Sequence, residues 1–197
     1  MNKSILLGLI LLIPFPAIGQ ESAGKPPPAY DWAVTAYGGK LTGDSFDDVL
    51  SGDADFDNEK VWVVALSRRF TRFKWDIDLE GEVQLGKHDS LTKHWEVNGL
   101  LDLRWNRFPW DRYLDTSAAW GVGLSYATEK PEFEIKEQGA TNRLMAYILF
   151  ELAMSLPQYP QWAVVARWHH RSAAWGLFED DIETASNAIG LGIKRRF

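Results

Sequence analysis

The feature that most constrains the fold of this chain is a strict alternation of apolar and polar residues over long segments. Across residues 74–85 (KWDIDLEGEVQL), every second residue is Trp, Ile, Leu, Gly or Val, and every residue between them is charged or carries an amide. The same period of two recurs in 95–106, 116–126 and 144–154. Because successive side chains of a strand point to opposite faces, this period predicts long β-strands with one apolar and one polar face.

Eight such segments occupy the chain after residue 29. They lie at 30–38, 60–70, 74–85, 95–106, 116–126, 144–154, 162–172 and 183–197. Their connections alternate in character. The connections 39–59, 86–94, 127–142 and 173–182 are mostly long and polar, whereas 71–73, 107–112 and 157–161 are short. This alternation between strands of about ten residues is typical of outer-membrane β-barrels. The predicted fold is all-β: an eight-stranded antiparallel transmembrane β-barrel with short periplasmic turns and longer extracellular loops.

A secreted, lipocalin-like soluble barrel is the alternative fold. The two folds differ in whether the apolar face of each strand points inward or outward. A soluble barrel packs its apolar face inside, whereas a small membrane barrel turns that face to lipid and fills its interior with polar side chains. The strands are longer than the usual five to six or so residues of soluble strands. Tryptophans gather near strand ends, as interfacial girdles require. The polar face carries both charge signs, which can pair inside a narrow lumen. These features favour the membrane barrel.

The N-terminal segment indicates export. Lys3 precedes an apolar run, and Ala17-Ile18-Gly19 fits a small-residue cleavage site before Gln20. We therefore expect a signal peptide at 1–19 and a single barrel domain at 20–197; a helical anchor is the alternative. The chain has no cysteine, so neither disulfides nor a lipid on an N-terminal cysteine are expected. The formal net charge of −6, with no basic run, argues against nucleic acid as the main partner.

Strand parity selects three chemically capable residues near the C-terminus. In the segment 162–172, Trp162, Val164 and Trp168 share one parity, which continues to His170 and Ser172. In the last strand, Glu183 has the parity of the lipid-facing residues Ile189, Leu191 and Ile193. His170, Ser172 and Glu183 are therefore predicted to meet on the outer wall, facing the outer leaflet. Serine, histidine and carboxylate are the nucleophile, base and orienting group of a serine hydrolase.

A second interpretation needs no chemistry at this site. The rim of a barrel lies in the headgroup region, where polar side chains cost little, so the three residues could be a polar fringe. A metal site is not predicted, because the adjacent His169 and His170 point to opposite faces and cannot share one ion. His169 is expected to hydrogen-bond inside the lumen.

The C-terminal hairpin resembles the lipid A 3-O-deacylase (PagL) family of outer-membrane barrels. That family carries His-x-Ser at the end of the penultimate strand and a glutamate at the start of the last one. His170, Ser172 and Glu183 match this pattern. The terminal Phe197, which closes an alternating strand, also resembles the sorting signal of outer-membrane proteins and implies periplasmic termini. Two features depart from the family pattern: Ala173 stands where asparagine is common, and the spacing from serine to glutamate is about one residue shorter.

The resemblance implies an esterase that removes a hydroxyacyl chain from lipid A of lipopolysaccharide, without a cofactor. Ser172 would attack the ester, His170 would act as base and then acid, and Glu183 would orient His170. Backbone N–H groups from Ala173 to Gly176 are the expected oxyanion donors. The sequence leaves open which acyl chain is removed and whether two barrels form a homodimer.

The competing function is a structural or adhesive barrel that binds through the loops 39–59 and 127–142. A small-solute channel is not expected, because side chains fill an eight-stranded lumen. The acidic run Asp53-x-Asp55-x-Asp57 lacks the glycine and the glutamate of a calcium loop and is interpreted as a solvated loop. The chain shows no phosphate-binding glycine loop, no zinc-binding histidine pair and no nucleophile elbow.

Overall fold

The strands close into one antiparallel barrel. The computed structural model describes residues 30–44, 46–89, 92–174 and 184–197. Each strand pairs with the next along the chain, and β1 pairs with β8, which closes the barrel. The strands are β1 (Trp32–Thr42), β2 (Lys60–Phe73), β3 (Ile77–Asp89), β4 (Trp95–Trp105), β5 (Asp115–Ala127), β6 (Leu144–Ser155), β7 (Trp162–Ser172) and β8 (Ala185–Arg196). The all-β, eight-stranded antiparallel fold is therefore confirmed; the signal peptide predicted at 1–19 lies outside the described residues.

The two ends of the barrel differ as predicted, except at the β3–β4 connection. At one end, called the turn end, β2–β3, β4–β5 and β6–β7 are joined by residues 74–76, 106–114 and 156–161. At the other, called the loop end, the connections include 43–59 and 128–143, which carry α1 (Phe46–Ser51) and α2 (Glu132–Gln138). The connection 90–94 is shorter than predicted, because β3 continues to Asp89. Neither helix is long and apolar enough to cross a membrane.

One predicted turn is displaced. The alternation pattern placed a turn at 71–73, but β2 continues to Phe73 and the chain turns at Lys74–Asp76. A bulge between Arg69 and Thr71 adds one residue to β2 and reverses its parity, so the simple period of two fails there. Trp75 lies in this turn at a φ of 64°, in the left-handed region.

The outer wall is apolar and the lumen is polar. Large aliphatic side chains form an exposed band around the middle of the barrel, among them Val64, Val83, Leu101, Val122, Val164 and Ile193. Exposed aromatic side chains flank that band, with Trp75, Tyr113, Tyr159 and Trp162 toward the turn end and Trp62, Trp95 and Tyr126 toward the loop end. An apolar band between two aromatic girdles is the surface that a bilayer requires.

Charged side chains fill the lumen as an ion-pair network. Arg167 is fully buried and holds Glu82 and Glu151, with Nη1 to Glu82 Oε1 at 2.7 Å and Nε to Glu151 Oε2 at 2.6 Å. Glu151 also contacts Arg104 and Lys194, at 2.9 and 2.5 Å. Buried charges are tolerated only when they are paired in this way. Among the described residues, the lumen is therefore a packed polar core.

Helix α2 closes the loop end of this core. Phe133 and Glu134 of α2 are buried. The Glu134 carboxylate accepts hydrogen bonds from Arg171 on β7 and, at 2.8 Å, from Ser186 on β8. The connection between β5 and β6 is therefore anchored to the two strands that carry the candidate site.

Candidate active site on the outer wall

Strand β7 presents a different chemistry on each of its faces. Arg167, His169 and Arg171 are buried in the lumen, whereas Trp168, His170 and Ser172 lie on the outer wall and are partly exposed. The strand alternates because the inward row meets acidic partners and the outward row continues the apolar band. The adjacent histidines are thus separated: His169 contacts Glu96 at 3.0 Å inside the lumen, as the alternation predicted.

His170 has a defined partner across the neighbouring strand. It is paired with Asn187 of β8, and its Nδ1 lies 2.8 Å from Asn187 Oδ1. The same oxygen accepts a hydrogen bond from Trp168 Nε1 at 2.8 Å. Asn187 Nδ2 donates to the backbone carbonyl of Asp44, also at 2.8 Å. Asn187 is 2% exposed, so this amide is a buried anchor beneath a partly exposed imidazole.

These contacts fix the orientation of the amide and the tautomer of His170. An indole N–H can only donate, so the atom of Asn187 that faces Trp168 must be the oxygen. A backbone carbonyl can only accept, so the atom facing Asp44 must be the NH₂ group. His170 Nδ1 therefore carries the proton that it donates to Asn187 Oδ1. The lone pair is left on His170 Nε2, which is the arrangement of a histidine poised as a general base.

Ser172 stands in an open position beside this histidine. Its neighbours on the two adjacent strands are Ala146 of β6 and Ala185 of β8. Two alanines leave more free surface around the hydroxyl than larger side chains would. His170 and Ser172 are two residues apart on one strand face, which corresponds to about 6.6 Å between Cα atoms. An imidazole and a hydroxyl at this spacing can reach each other by side-chain rotation.

The predicted oxyanion donors are only partly described. The N–H of Ala173 donates to the carbonyl of Thr184 at 3.0 Å, so it must exchange this partner before it can bind an oxyanion. The Ala173 side chain is buried against Met145. Ala174 has a φ of 50°, in the left-handed region that an alanine seldom adopts. Gly176 lies outside the described residues.

Glu183 also lies outside the described residues, so its predicted contact with His170 stays a prediction. Within the described part of the chain, the group at His170 Nδ1 is Asn187. Sequence reasoning missed this residue, although a signal was present. Asn187 is a polar residue in the outward row of β8, where its neighbours in that row are Ala185, Ile189 and Leu191. An unpaired buried polar group destabilises a protein, so a single amide among apolar neighbours predicts a hydrogen-bond partner nearby.

An open groove runs along the outer wall beside the site. It has a volume of about 570 Å³ and crosses β8, β1 and β2. Apolar side chains form its walls and two lysines flank it; its lining includes Phe56, Trp62, Ile189, Leu191, Lys40 and Lys60. Lys40 is paired with both Lys60 and Ile189, and Ile189 follows Asn187 by two residues. A Cβ at Gly38 would lie 2.5 Å from the Trp62 ring, so only glycine at this position allows the indole to pack against β1.

Comparison with known proteins identifies the fold. No family model and no curated protein sequence matches this chain. Among solved structures, the outer membrane enzyme PagL aligns with a TM-score of 0.59 at 11% identity, over 84% of this chain and 99% of that one. Neisserial surface protein A aligns with a TM-score of 0.52 at 10% identity, over 84% and 97%. A designed transmembrane β-barrel aligns with a TM-score of 0.53 at 11% identity, over 85% and 95%. At these identities the likeness establishes the fold, which is that of the eight-stranded outer-membrane β-barrels.

Proposed function

We propose that this protein is an outer-membrane serine esterase that removes an ester-linked 3-hydroxyacyl chain from lipid A, at the outer leaflet. One observation carries the proposal: on the outer wall, the buried Asn187 fixes His170 as a base, and Ser172 stands in the same outward row. A polar fringe would need neither a buried amide nor a fixed tautomer. The structural likeness to the enzyme PagL and the His-x-Ser pattern of that family support the same function.

The reaction follows from the roles of these groups. Ser172 Oγ attacks the ester carbonyl while His170 Nε2 takes its proton. When the tetrahedral intermediate collapses, His170 returns that proton to the departing sugar oxygen, and the acyl chain stays on Ser172. A water molecule, activated by the same imidazole, then hydrolyses the acyl-enzyme and releases the hydroxy fatty acid. Asn187 holds the ring in place during both steps.

A neutral amide and a carboxylate orient histidine differently. Both can accept the Nδ1 proton and select the correct tautomer, but only a carboxylate also stabilises the imidazolium that forms in the transition state. Asn187 is therefore a positioning residue. The family resemblance assigns the orienting role to Glu183, and a carboxylate from that residue would add charge stabilisation to the geometry that Asn187 supplies.

The groove beside the site fits an anionic acylated lipid. Trp62, Ile189 and Leu191 offer an apolar surface for an acyl chain, and Lys40 and Lys60 offer two cations at the loop end, at headgroup height. Lipid A combines phosphate groups with several acyl chains. In this arrangement the membrane delivers the substrate in the correct orientation, which lowers the entropic cost of bringing an ester to Ser172.

A direct assay uses the purified, folded barrel in detergent micelles with lipid A as substrate. We expect release of a free 3-hydroxy fatty acid from an ester position, while amide-linked chains stay intact. Mass spectrometry of both products measures the result. A folded barrel that leaves lipid A intact over long incubation would refute the proposed activity and would favour the structural or adhesive alternative.

Replacing Asn187 tests the positioning role. In Asn187→Leu, we expect kcat to fall by about 100-fold, within the range usual for loss of general-base function, with KM nearly unchanged. Asn187→Asp should restore most of the activity, because a carboxylate also accepts the Nδ1 proton. The acidic limb of its pH profile should shift to higher pH. An anionic partner stabilises the protonated imidazole, which cannot act as a base. The pH dependence of kcat for the two variants is the measurement.

Glu183→Gln is the matched comparison for that experiment. A large loss in Glu183→Gln, combined with normal activity in Asn187→Leu, would transfer the orienting role to Glu183. If Asn187→Asp is as inactive as Asn187→Leu, the amide is needed for its bond to Asp44 rather than for its bond to His170.

Replacing the two lysines tests the groove. Each of Lys40→Gln and Lys60→Gln should raise KM for lipid A about fivefold, because a lysine at an anionic lipid surface contributes about 1 kcal/mol. Lys74→Gln, at the turn end, is the control and should leave KM unchanged. The effect should shrink as the salt concentration rises. Equal KM values for all three variants would exclude the groove as a headgroup site.

A further inference from the structure

A second cluster of chemically capable side chains lies inside the barrel, at the loop end. His88 is near the end of β3, His94 immediately precedes β4, and Glu96 is the second residue of β4. All three are buried, with exposed fractions of 5%, 2% and 1%. One nitrogen or oxygen atom from each lies within 4.8 Å of the others. The three residues converge because Gly86 and Glu96 are paired across β3 and β4, and the backbone N–H of His88 donates to the carbonyl of His94 at 3.0 Å.

His94 carries a lone pair that has no partner in the described part of the chain. Its Nδ1 lies 2.9 Å from the carbonyl oxygen of Thr92, which can only accept, so Nδ1 carries the proton. The lone pair is therefore on Nε2, and this nitrogen is buried without a hydrogen bond. An unpaired buried acceptor costs about 1–3 kcal/mol, so a site that retains one calls for an explanation.

The other two residues are already spaced like the ligands of one metal ion. His88 Nε2 and Glu96 Oε2 are 3.1 Å apart. Two ligands on a tetrahedral zinc ion, each about 2.0–2.1 Å from the metal, are separated by about 3.3 Å. The second carboxylate oxygen of Glu96 lies 3.0 Å from His169 Nε2. That contact is at ion-pair distance within the lumen, and the bond from His94 to Thr92 has the form of the outer-shell hydrogen bonds that hold metal ligands in place.

We propose that His88, His94 and Glu96 bind one divalent transition-metal ion of the zinc class. Two imidazoles and one carboxylate form a nitrogen-rich ligand set that suits zinc and its neighbours better than magnesium or calcium. Water supplies the fourth ligand. The ion replaces the hydrogen bond between His88 and Glu96, and the proton of His88 Nε2 moves to Nδ1. Because the two imidazole rings are now stacked with centroids 4.3 Å apart, binding the ion requires the His88 ring to turn out of the stack, while His94 keeps its bond to Thr92.

Such an ion has a structural role. It lies inside the lumen, whereas His170 and Ser172 are on the outer wall, so it takes no part in ester hydrolysis. It links the β3–β4 connection to the lumen and, through Glu96 and His169, to β7, the strand that carries the candidate site. Sequence reasoning did not predict this site, because His88 and His94 are six residues apart on either side of a loop and match no zinc-binding spacing.

Zinc titration of the folded, chelator-treated barrel tests this site. We expect one Zn²⁺ per barrel by calorimetry, a higher unfolding temperature with Zn²⁺, and no response to Mg²⁺. His94→Ala removes a ligand that lies outside the strands and should weaken zinc binding at least 100-fold, and Glu96→Gln should do the same with little change of shape. His170→Ala is the matched control and should bind zinc like the wild type.

Three results would overturn the proposal. The first is a folded wild-type barrel that does not bind Zn²⁺. The second is zinc binding that persists unchanged in both His94→Ala and Glu96→Gln. The third is zinc binding lost in His170→Ala, which would place the ion on the outer wall instead. Heat-dependent gel migration of each variant establishes that the barrel is folded before titration.

Discussion

Ser172→Ala should lower the rate of hydroxyacyl release by at least about 10³-fold, because the variant lacks the oxygen that attacks the ester. Ser172 is on the outer wall between two alanines, so removing its hydroxyl creates no cavity in the lumen and should not change barrel stability. Substrate binding should persist, because the groove residues are untouched. The measurement is the initial rate of fatty acid release from lipid A by folded protein, at several substrate concentrations.

Ser186→Ala is the matched control for this variant. Ser186 lies on the adjacent strand, paired with Arg171 at nearly the same height, but its hydroxyl faces the lumen and donates to Glu134 at 2.8 Å. We expect this variant to keep the wild-type rate. If Ser172→Ala retains activity, the nucleophile is another group and the proposed site is wrong. If both serine variants lose activity, the loss comes from a disturbed loop end of the barrel and not from removal of the Ser172 hydroxyl.

Arg167→Met should destabilise the barrel by about 3–5 kcal/mol, the usual cost of removing one partner from a buried ion pair. The guanidinium is fully buried and contacts both Glu82 and Glu151. Methionine fills much of the same volume but cannot neutralise these carboxylates. Glu82 loses both of the hydrogen bonds that it accepts from Arg167. Urea unfolding of the barrel in micelles or lipid vesicles measures the change in the free energy of unfolding.

Arg68→Met is the control for that measurement. Arg68 is exposed on the outer wall, with its guanidinium carbon 5.2 Å from the centroid of the Trp32 ring. Its replacement should cost no more than about 1 kcal/mol, the contribution of an exposed cation–π contact. Equal stability losses in Arg167→Met and Arg68→Met would mean that the buried network does not stabilise the barrel, contrary to the reasoning from burial and charge.

Much of this structure could be predicted from the sequence because a small membrane barrel repeats one rule. Each strand alternates lipid-facing and lumen-facing residues, so the alternating segments predict the number of strands, and parity predicts the opposite orientations of His169 and His170. The rule fails where the backbone departs from it. The bulge after Arg69 displaced the first turn, and the two loop helices have no period of two to reveal them.

The partners within the candidate site were harder to predict. Parity brought His170 and Ser172 to one face, but it cannot give the register between β7 and β8, which is what places Asn187 rather than a neighbour beside His170. The cluster of His88, His94 and Glu96 depends on the short connection between β3 and β4, whose geometry no sequence spacing specifies. Contacts that depend on register and loop shape therefore needed the structure.

Lipid A from cells that express this protein tests the central claim most directly. Outer membranes from cells with the wild type, Ser172→Ala and Ser186→Ala are compared by mass spectrometry, after gel migration establishes that equal amounts of each barrel are folded. With the wild type and Ser186→Ala, we predict lipid A that has lost the mass of one ester-linked 3-hydroxyacyl chain. With Ser172→Ala, we predict lipid A of full mass. Identical lipid A in all three would contradict the account.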